Sequence, residues 1–159
     1  MRFRHSTSFP ADATAVFAMF SDPAFRDRVC TAQGSLRSEV SLALSDRGGE
    51  ALVEQVLPAV GIPSYAAKFV GEEIEVRRFE KWRGSEYANL EIAIPGKPGD
   101  LVAELTLSQE AGQSVLTYDG ELTVSIPFIG GKLEKFVGEM FTSSLDIEAD
   151  IARAYLAGE

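Results

Sequence analysis

Few residues in this chain have types that could do chemistry, and each of them stands alone in sequence. His5 is the only histidine and Cys30 the only cysteine. Residues 2–9 alternate, so Phe3, His5, Thr7 and Phe9 share one strand face opposite Arg2, Arg4, Ser6 and Ser8. On that face His5 could serve as a pocket base or hydrogen-bonding group. It could equally be a half-buried edge residue bonded to a carbonyl, and no second catalytic-type residue is linked to it in sequence. Arg78 and Glu80 share a strand face with Ile74, Val76 and Trp82, while Glu75, Arg77, Phe79 and Lys81 take the other. If the first face is concave, two charges lie inside beside an indole. They must then be paired with each other or with a ligand, because an isolated buried charge is expensive. Arg78 would then suit a ligand carboxylate or phosphate. If the strand projects past its neighbours, the same pair is solvated.

Tyr118 lies on the face of Leu116, Leu122 and Val124, and its hydroxyl needs a partner wherever it is buried. Tyr65, Phe69, Trp82, Phe136 and Met140 join it as candidate walls of a cavity. Each one alone could also be plain core. Cys30 reads as a buried, inert thiol, with no histidine or asparagine beside it. Gly130-Gly131-Lys132 is not a phosphate loop, since that pattern needs glycine where Ile126 stands. No G-x-G-x-x-G, H-E-x-x-H or G-x-S-x-G occurs. One histidine and one cysteine do not make a conventional zinc site. No catalytic residue, metal or cofactor is expected from the motifs.

The elements that position these residues follow from periodicity. Pro10 ends the first strand. Asp12 caps a helix carrying Val16, Phe17 and Phe20, and Asp22-Pro23 opens a second short helix with Phe25, Val29 and Cys30, stopped at Gly34. Leu36, Ser38, Val40, Leu42 and Leu44 share a strand face, and Asp46–Gly49 reads as a hairpin turn with glycines at positive φ. Residues 51–57 return as a strand. A short helix is predicted over Ser64–Val70. Strands near 73–82, 86–94, 101–109 and 114–126 follow at the spacing of an antiparallel meander. After Pro127-Phe128-Ile129-Gly130-Gly131, apolar residues recur every three or four positions to Tyr155. That predicts one amphipathic helix over about 131–157, on the order of 40 Å long at 1.5 Å per residue. Glu134, Glu139, Asp146, Glu148 and Asp150 read as its wet face. A helix that long must lie across a wide sheet.

Composition sets the limits. The 159 residues fit one domain, 1–159, able to bury a core without disulfide or metal. A net charge of −9 argues against nucleic acid and against an anionic membrane surface. No apolar run approaches the roughly 18 residues of a spanning helix, and the first twenty residues lack a signal-peptide core. The only asparagine, Asn89, begins no glycosylation sequon. A cytoplasmic location is the default expectation.

In IPSYAAKFVGEEIEVRRFEKW (62–82), a proline-led segment runs into a strand ending Glu80-Lys81-Trp82. In VSIPFIGGKLEKFVGEMF (124–141), Pro-Phe-x-Gly-Gly-Lys-x-Glu leads into the last helix. On these two segments the chain resembles the START-like superfamily, the helix-grip or SRPBCC group that holds polyketide cyclases, lipid-transfer domains, pollen-allergen-like proteins and Hsp90-activator domains. More narrowly it resembles an actinobacterial domain-of-unknown-function family within that group. The resemblance covers essentially the whole chain. It implies an α+β fold: a curved antiparallel sheet of six to seven strands around a long C-terminal helix, with two short helices after strand one. A strongly twisted sheet curves around a helix laid on it, touching at the ends and leaving room in the middle.

Three functions then compete. The first is binding, transport or sensing of an apolar or amphipathic small molecule between sheet and helix. The second is a cyclase- or dehydratase-like enzyme using His5, Glu80, Arg78 or Tyr118, which requires two of them to converge in one cavity. The third is an Hsp90-activator-like interaction module, which expects a filled interior. The tips Val60-Gly61-Ile62-Pro63 and Pro127-Phe128-Ile129 could gate a pocket mouth, touch a membrane transiently or a partner, or close over each other.

Overall fold

In the first ten residues, alternation produces an edge strand, β1 (Arg2–Phe9), with Phe3 and Phe9 buried and His5 and Thr7 half-buried between them. The computed structural model describes residues 1–159. Two short helices follow, α1 (Ala13–Phe20) and α2 (Pro23–Ala32). The Asp12 carboxylate accepts from the Ala15 amide at 2.8 Å, and Asp22 accepts from the Ala24 amide at 2.9 Å, so both helices start where a side chain satisfies an orphan donor. Gly34, at φ +87°, turns the chain out of α2.

The chain then meanders through β2 (Arg37–Ser45), β3 (Gly48–Pro58), the one-turn helix α3 (Ser64–Ala67), β4 (Glu73–Arg83), β5 (Tyr87–Ala93), β6 (Gly99–Glu110) and β7 (Gln113–Val124). All neighbours pair antiparallel, in the order β1-β7-β6-β5-β4-β3-β2. The helix-bearing crossover from β1 to β2 therefore spans the sheet from edge to edge, and the meander brings β7 back beside β1. Helix α4 (Gly130–Leu156) crosses the inner face. This is the helix-grip architecture, with seven strands, two short helices after strand one and a long C-terminal helix.

Three local expectations change. The helix predicted over Ser64–Val70 is a single turn ending at Ala67, because nothing caps its start with a side chain and only Ala66 is buried. The β2–β3 turn is only Asp46-Arg47; Gly48 and Gly49 already belong to β3. Gly49 sits there at φ +132°, where a Cβ would strike the Ala43 carbonyl of the paired strand, so the glycine serves a close backbone approach. The wet-face reading of α4 holds for Glu139, Asp146 and Asp150, which are exposed, and fails for Glu148, which is buried. Glu148 follows Leu145 by three residues and precedes Ala152 by four, and those two are buried, so it belongs to the inward stripe. Glu134 is half-buried too. It accepts from the Val124 amide and the chain's amino terminus, each at 3.1 Å, which ties the start of α4 to the end of β7.

The groove between sheet and α4 is filled at one end only. There Phe9, Phe20, Phe25 and Tyr155 pack edge-on in a chain with centroids 5.4–6.3 Å apart, and Phe17 meets Trp82 at 5.2 Å. Helices α1 and α2 plug this end.

Candidate functional site: an apolar cavity walled by buried charges

At the other end no helix fills the groove. The strand segments there carry Val53, Ile74, Val76, Ile92 and Leu122, and α4 faces them with Phe136, Val137 and Ile147. Between them lies a cavity of about 680 Å³, partly open to solvent. Of its 38 lining residues 24 are hydrophobic, so its walls suit an apolar body rather than a polar metabolite. The rim includes Val60, which is 74% exposed, and Met140, which is 41% exposed, together with Ile62, Lys97 and Ile126. Phe128, next to that rim, is fully exposed at φ +70°.

A polar partition separates the cavity from the filled core. Glu80 on β4 is completely buried. Its Oε1 accepts from Arg26 Nη2 at 2.8 Å and from the Trp82 indole N–H at 2.8 Å. Its Oε2 accepts from Arg26 Nη1 and Arg78 Nε, each at 2.7 Å. Arg26 also donates through Nε to the Phe20 carbonyl at 2.7 Å. Arg78 donates from Nη1 to Glu148 Oε2 at 3.1 Å and from Nη2 to the Tyr118 hydroxyl at 3.1 Å, and that hydroxyl donates onward to Glu148 Oε1 at 3.0 Å. Two guanidinium groups and two carboxylates thus compensate one another, as buried charges must. No buried side-chain polar atom in the protein lacks a partner.

The network fixes protonation. Burial alone would raise the Glu80 pKa, but Arg26 and Arg78 override it and hold the carboxyl far below the usual range. Burial disfavours the Arg78 cation, yet the Tyr118 oxygen, Glu148 and Glu80 hold it firmly protonated. Burial pushes the Tyr118 phenol well up. It also pushes up the Cys30 thiol, which lines the cavity from α2.

Of the nine candidate site residues, Phe69, Arg78, Phe136 and Met140 line the cavity. For Arg78 and Glu80 the concave alternative is the one adopted, but Glu80 lies behind Arg78, inside the partition. Tyr118 is likewise buried in the partition, and Trp82 is in the filled core against Phe17. Tyr65 sits beside the rim with Lys132 Nζ 4.0 Å over its ring. His5 is apart. Its strand is the sheet edge, on the far side of Tyr118, and it opens on a shallow polar groove with Asp146, Asp150 and Arg153, bonded to Thr7 Oγ1 at 3.2 Å. Arg26 and Glu148 escaped sequence reading. Both had a signal in helical spacing: Arg26 precedes the buried Val29 and Cys30 by three and four residues, as Glu148 follows Leu145 by three.

Residues 4–156 match the family described as "Protein of unknown function (DUF2505)". The chain belongs to that family. Among its curated relatives, "Uncharacterized protein Rv0481c" of Mycobacterium tuberculosis is 30% identical over 113 residues, 65% of either chain. The chain therefore matches just under two thirds of that relative's length. Solved structures of similar fold include TTHA0849 of Thermus thermophilus (TM-score 0.69, 13% identity, 99% of this chain and 98% of that one). A START superfamily protein of Mycobacterium smegmatis superposes at TM-score 0.59 with 9% identity, covering 99% and 97%. The di-domain ARO/CYC StfQ of the steffimycin biosynthetic pathway superposes at 0.68 with 9% identity, covering 99% of this chain and 52% of that protein. These likenesses place this DUF2505 member in the START-like, helix-grip fold. No helix of it is long and apolar enough to cross a membrane.

Proposed function

We propose that this protein binds an apolar or amphipathic small molecule in the cavity between sheet and α4, as a carrier or sensor. The observation that supports the reading is the cavity itself. Ligand pockets run to about 300–1,000 Å³, and 680 Å³ falls in the middle of that range. A dry void of 680 Å³, at about 24 cal/mol per Å³, would cost about 16 kcal/mol. That equals or exceeds the whole stability of an ordinary domain, about 5–15 kcal/mol. The volume therefore holds water or a guest, and a guest that displaces water from Val, Ile and Phe walls is favoured by the hydrophobic effect.

The interaction-module alternative expected a filled interior, and the cavity counts against it. The enzyme alternative needed two acid–base groups converging in the cavity. Arg78 reaches it, but Glu80 and Tyr118 do not line it, and their surroundings keep the first ionised and the second protonated near neutral pH. His5 is elsewhere. Binding is the reading left with direct support.

The test is titration with N-phenyl-1-naphthylamine, a neutral dye that fluoresces when it leaves water. Wild type should show saturable, one-to-one enhancement. Val76→Trp, which places an indole in the cavity, should abolish it while leaving the fold intact by circular dichroism. No saturable signal, or an equal signal in the folded variant, would overturn the proposal.

A further inference from the structure

The partition facing the cavity distributes its unused hydrogen-bonding capacity unevenly. A carboxylate offers about four acceptor positions and a guanidinium five N–H donors. Glu80 has all four positions taken, by Arg26 twice, Arg78 and Trp82, and it does not line the cavity. Arg26, Arg78 and Glu148 do line it, and all three have capacity left. Arg26 places three of its five N–H groups, on the Phe20 carbonyl and twice on Glu80. Only Arg78 of the two arginines is bonded to Glu148, so the spare donor with a spare acceptor beside it is Arg78. Arg78 places three of its five N–H groups, on Glu80, Tyr118 and Glu148. Glu148 accepts two bonds, one per oxygen, from Arg78 and Tyr118. The saturated group is thus behind the wall, and a donor with an acceptor beside it is on the wall.

Charge narrows the guest further. Arg26, Arg78, Glu80 and Glu148 sum to zero. A carboxylate brought to Arg78 would face Glu148 directly and Glu80 behind it, with no uncompensated cation to receive it. An ammonium brought to Glu148 would face Arg78 in the same way. The other charged lining residues, Lys97, Asp100 and Glu139, are on the β5–β6 turn, the start of β6 and the exposed side of α4, away from the partition. Building on the binding proposal above, we infer that the guest is electrically neutral and presents a hydroxyl to the partition, its oxygen accepting from an Arg78 N–H and its O–H donating a hydrogen bond to a Glu148 carboxylate oxygen. The guest class is an apolar alcohol, phenol or hydroxyketone rather than a fatty acid. A hydroxyl meets one unused donor and one unused acceptor with a single O–H group and adds no charge. On this inference Arg78 takes a hydroxyl oxygen in place of the carboxylate or phosphate expected from sequence.

Displacement of N-phenyl-1-naphthylamine at pH 8 tests this with decan-1-ol, decanoate and decylammonium, which share one chain and differ in the head group. On wild type, decanol should displace the dye at a concentration at least tenfold below either ion. Decanoate equal to or ahead of decanol, or no displacement by decanol while the dye still binds, would overturn the inference and leave the binding proposal standing. A dye that does not bind at all removes both. Two variants of opposite sign check the role of charge. Glu148→Gln leaves one net positive charge and should improve decanoate relative to decanol at least tenfold. Arg78→Gln leaves one net negative charge and should do the same for decylammonium. If neither variant that remains folded shifts the ranking, the partition's charge does not select the guest and the inference falls. If neither folds, the wild-type ranking decides alone.

Discussion

Replacing Glu80 by Gln changes one atom and should cost this protein more than most core truncations. The carboxylate is fully buried and accepts four hydrogen bonds. The amide keeps one oxygen, able to accept two of them, and turns a donor toward N–H groups that need an acceptor. Arg26 and Arg78 then share a single counter-charge, Glu148, which bonds Arg78 and not Arg26. Breaking a buried pair in this way costs about 3–5 kcal/mol. At about 2–4 °C per kcal/mol for a domain of this size, the melting temperature should fall by about 6–20 °C. Urea denaturation at pH 7 measures the free energy directly. The pH dependence adds a second signature. Folding lowers the Glu80 pKa, so its ionised form stabilises the fold above the unfolded value of about 4.3, and that contribution drains away as pH falls below it. The gap between wild type and variant should be flat from pH 8 to 5 and narrow below about pH 4. Adding Arg26→Met to Glu80→Gln restores zero net charge, so the double variant should be less destabilised than the sum of the singles. A loss under about 1 kcal/mol at pH 7, or strict additivity, would show that the partition does not carry the charge balance described here.

Other perturbations separate structure from site. Val76→Trp buries an indole where there is now free volume, so it should leave stability unchanged or raise it by up to about 2 kcal/mol in denaturation, in contrast to its effect on dye binding. Asp12→Ala removes the cap of α1 and should cost about 1 kcal/mol by the same assay, with dye affinity unaltered. Cys30 lines the cavity with a thiol whose pKa burial raises; it should react slowly with a maleimide at pH 7, and more slowly still with saturating dye. A rate unchanged by dye would place the guest away from α2.

Most of the architecture was legible because it rests on periodicity. Alternation in residues 2–9 and 73–82 and the three- and four-residue spacing after Gly131 each name a face, and a face names what must cover it. Where the outcome turned on packing, local pattern ran out. Ser64–Val70 carries a helical signal but has little to pack against, so only one turn forms. The site was legible in its apolar half. Phe69, Phe136 and Met140 are large, and they follow the two breaker segments that mark the rim. The polar half was half-visible: Arg78 and Glu80 announced that a partner was needed, but the partners arrive from 54 and 70 residues away in sequence. Glu148 was hidden by the habit of reading acids on an amphipathic helix as solvated. Its spacing to Leu145 and Ala152 contradicted that habit.

The same partition bears on whether such a pocket catalyses or only binds. A general acid or base must change protonation near working pH, and enzymes arrange burial and neighbours to bring one group there. Here the arrangement drives groups the other way. Glu80 has every acceptor position filled and a depressed pKa, and Tyr118 has a raised one and a hydroxyl that both accepts and donates. A network built in this manner is stiff, because moving one member strands another buried charge. Stiffness suits recognition: Arg78 and Glu148 hold a donor and an acceptor at fixed positions, so little ordering of the protein is left to do when a guest arrives. It also gives the cavity a fixed inner wall, while its outer boundary is the rim of Val60, Ile62 and Met140, where the exposed Val60 and Met140 side chains face solvent. On the proposed binding role, the partition would select the guest's polar head and the rim its apolar body, so variants at Glu148 should alter which head group binds while substitutions at Met140 should alter which chain length does.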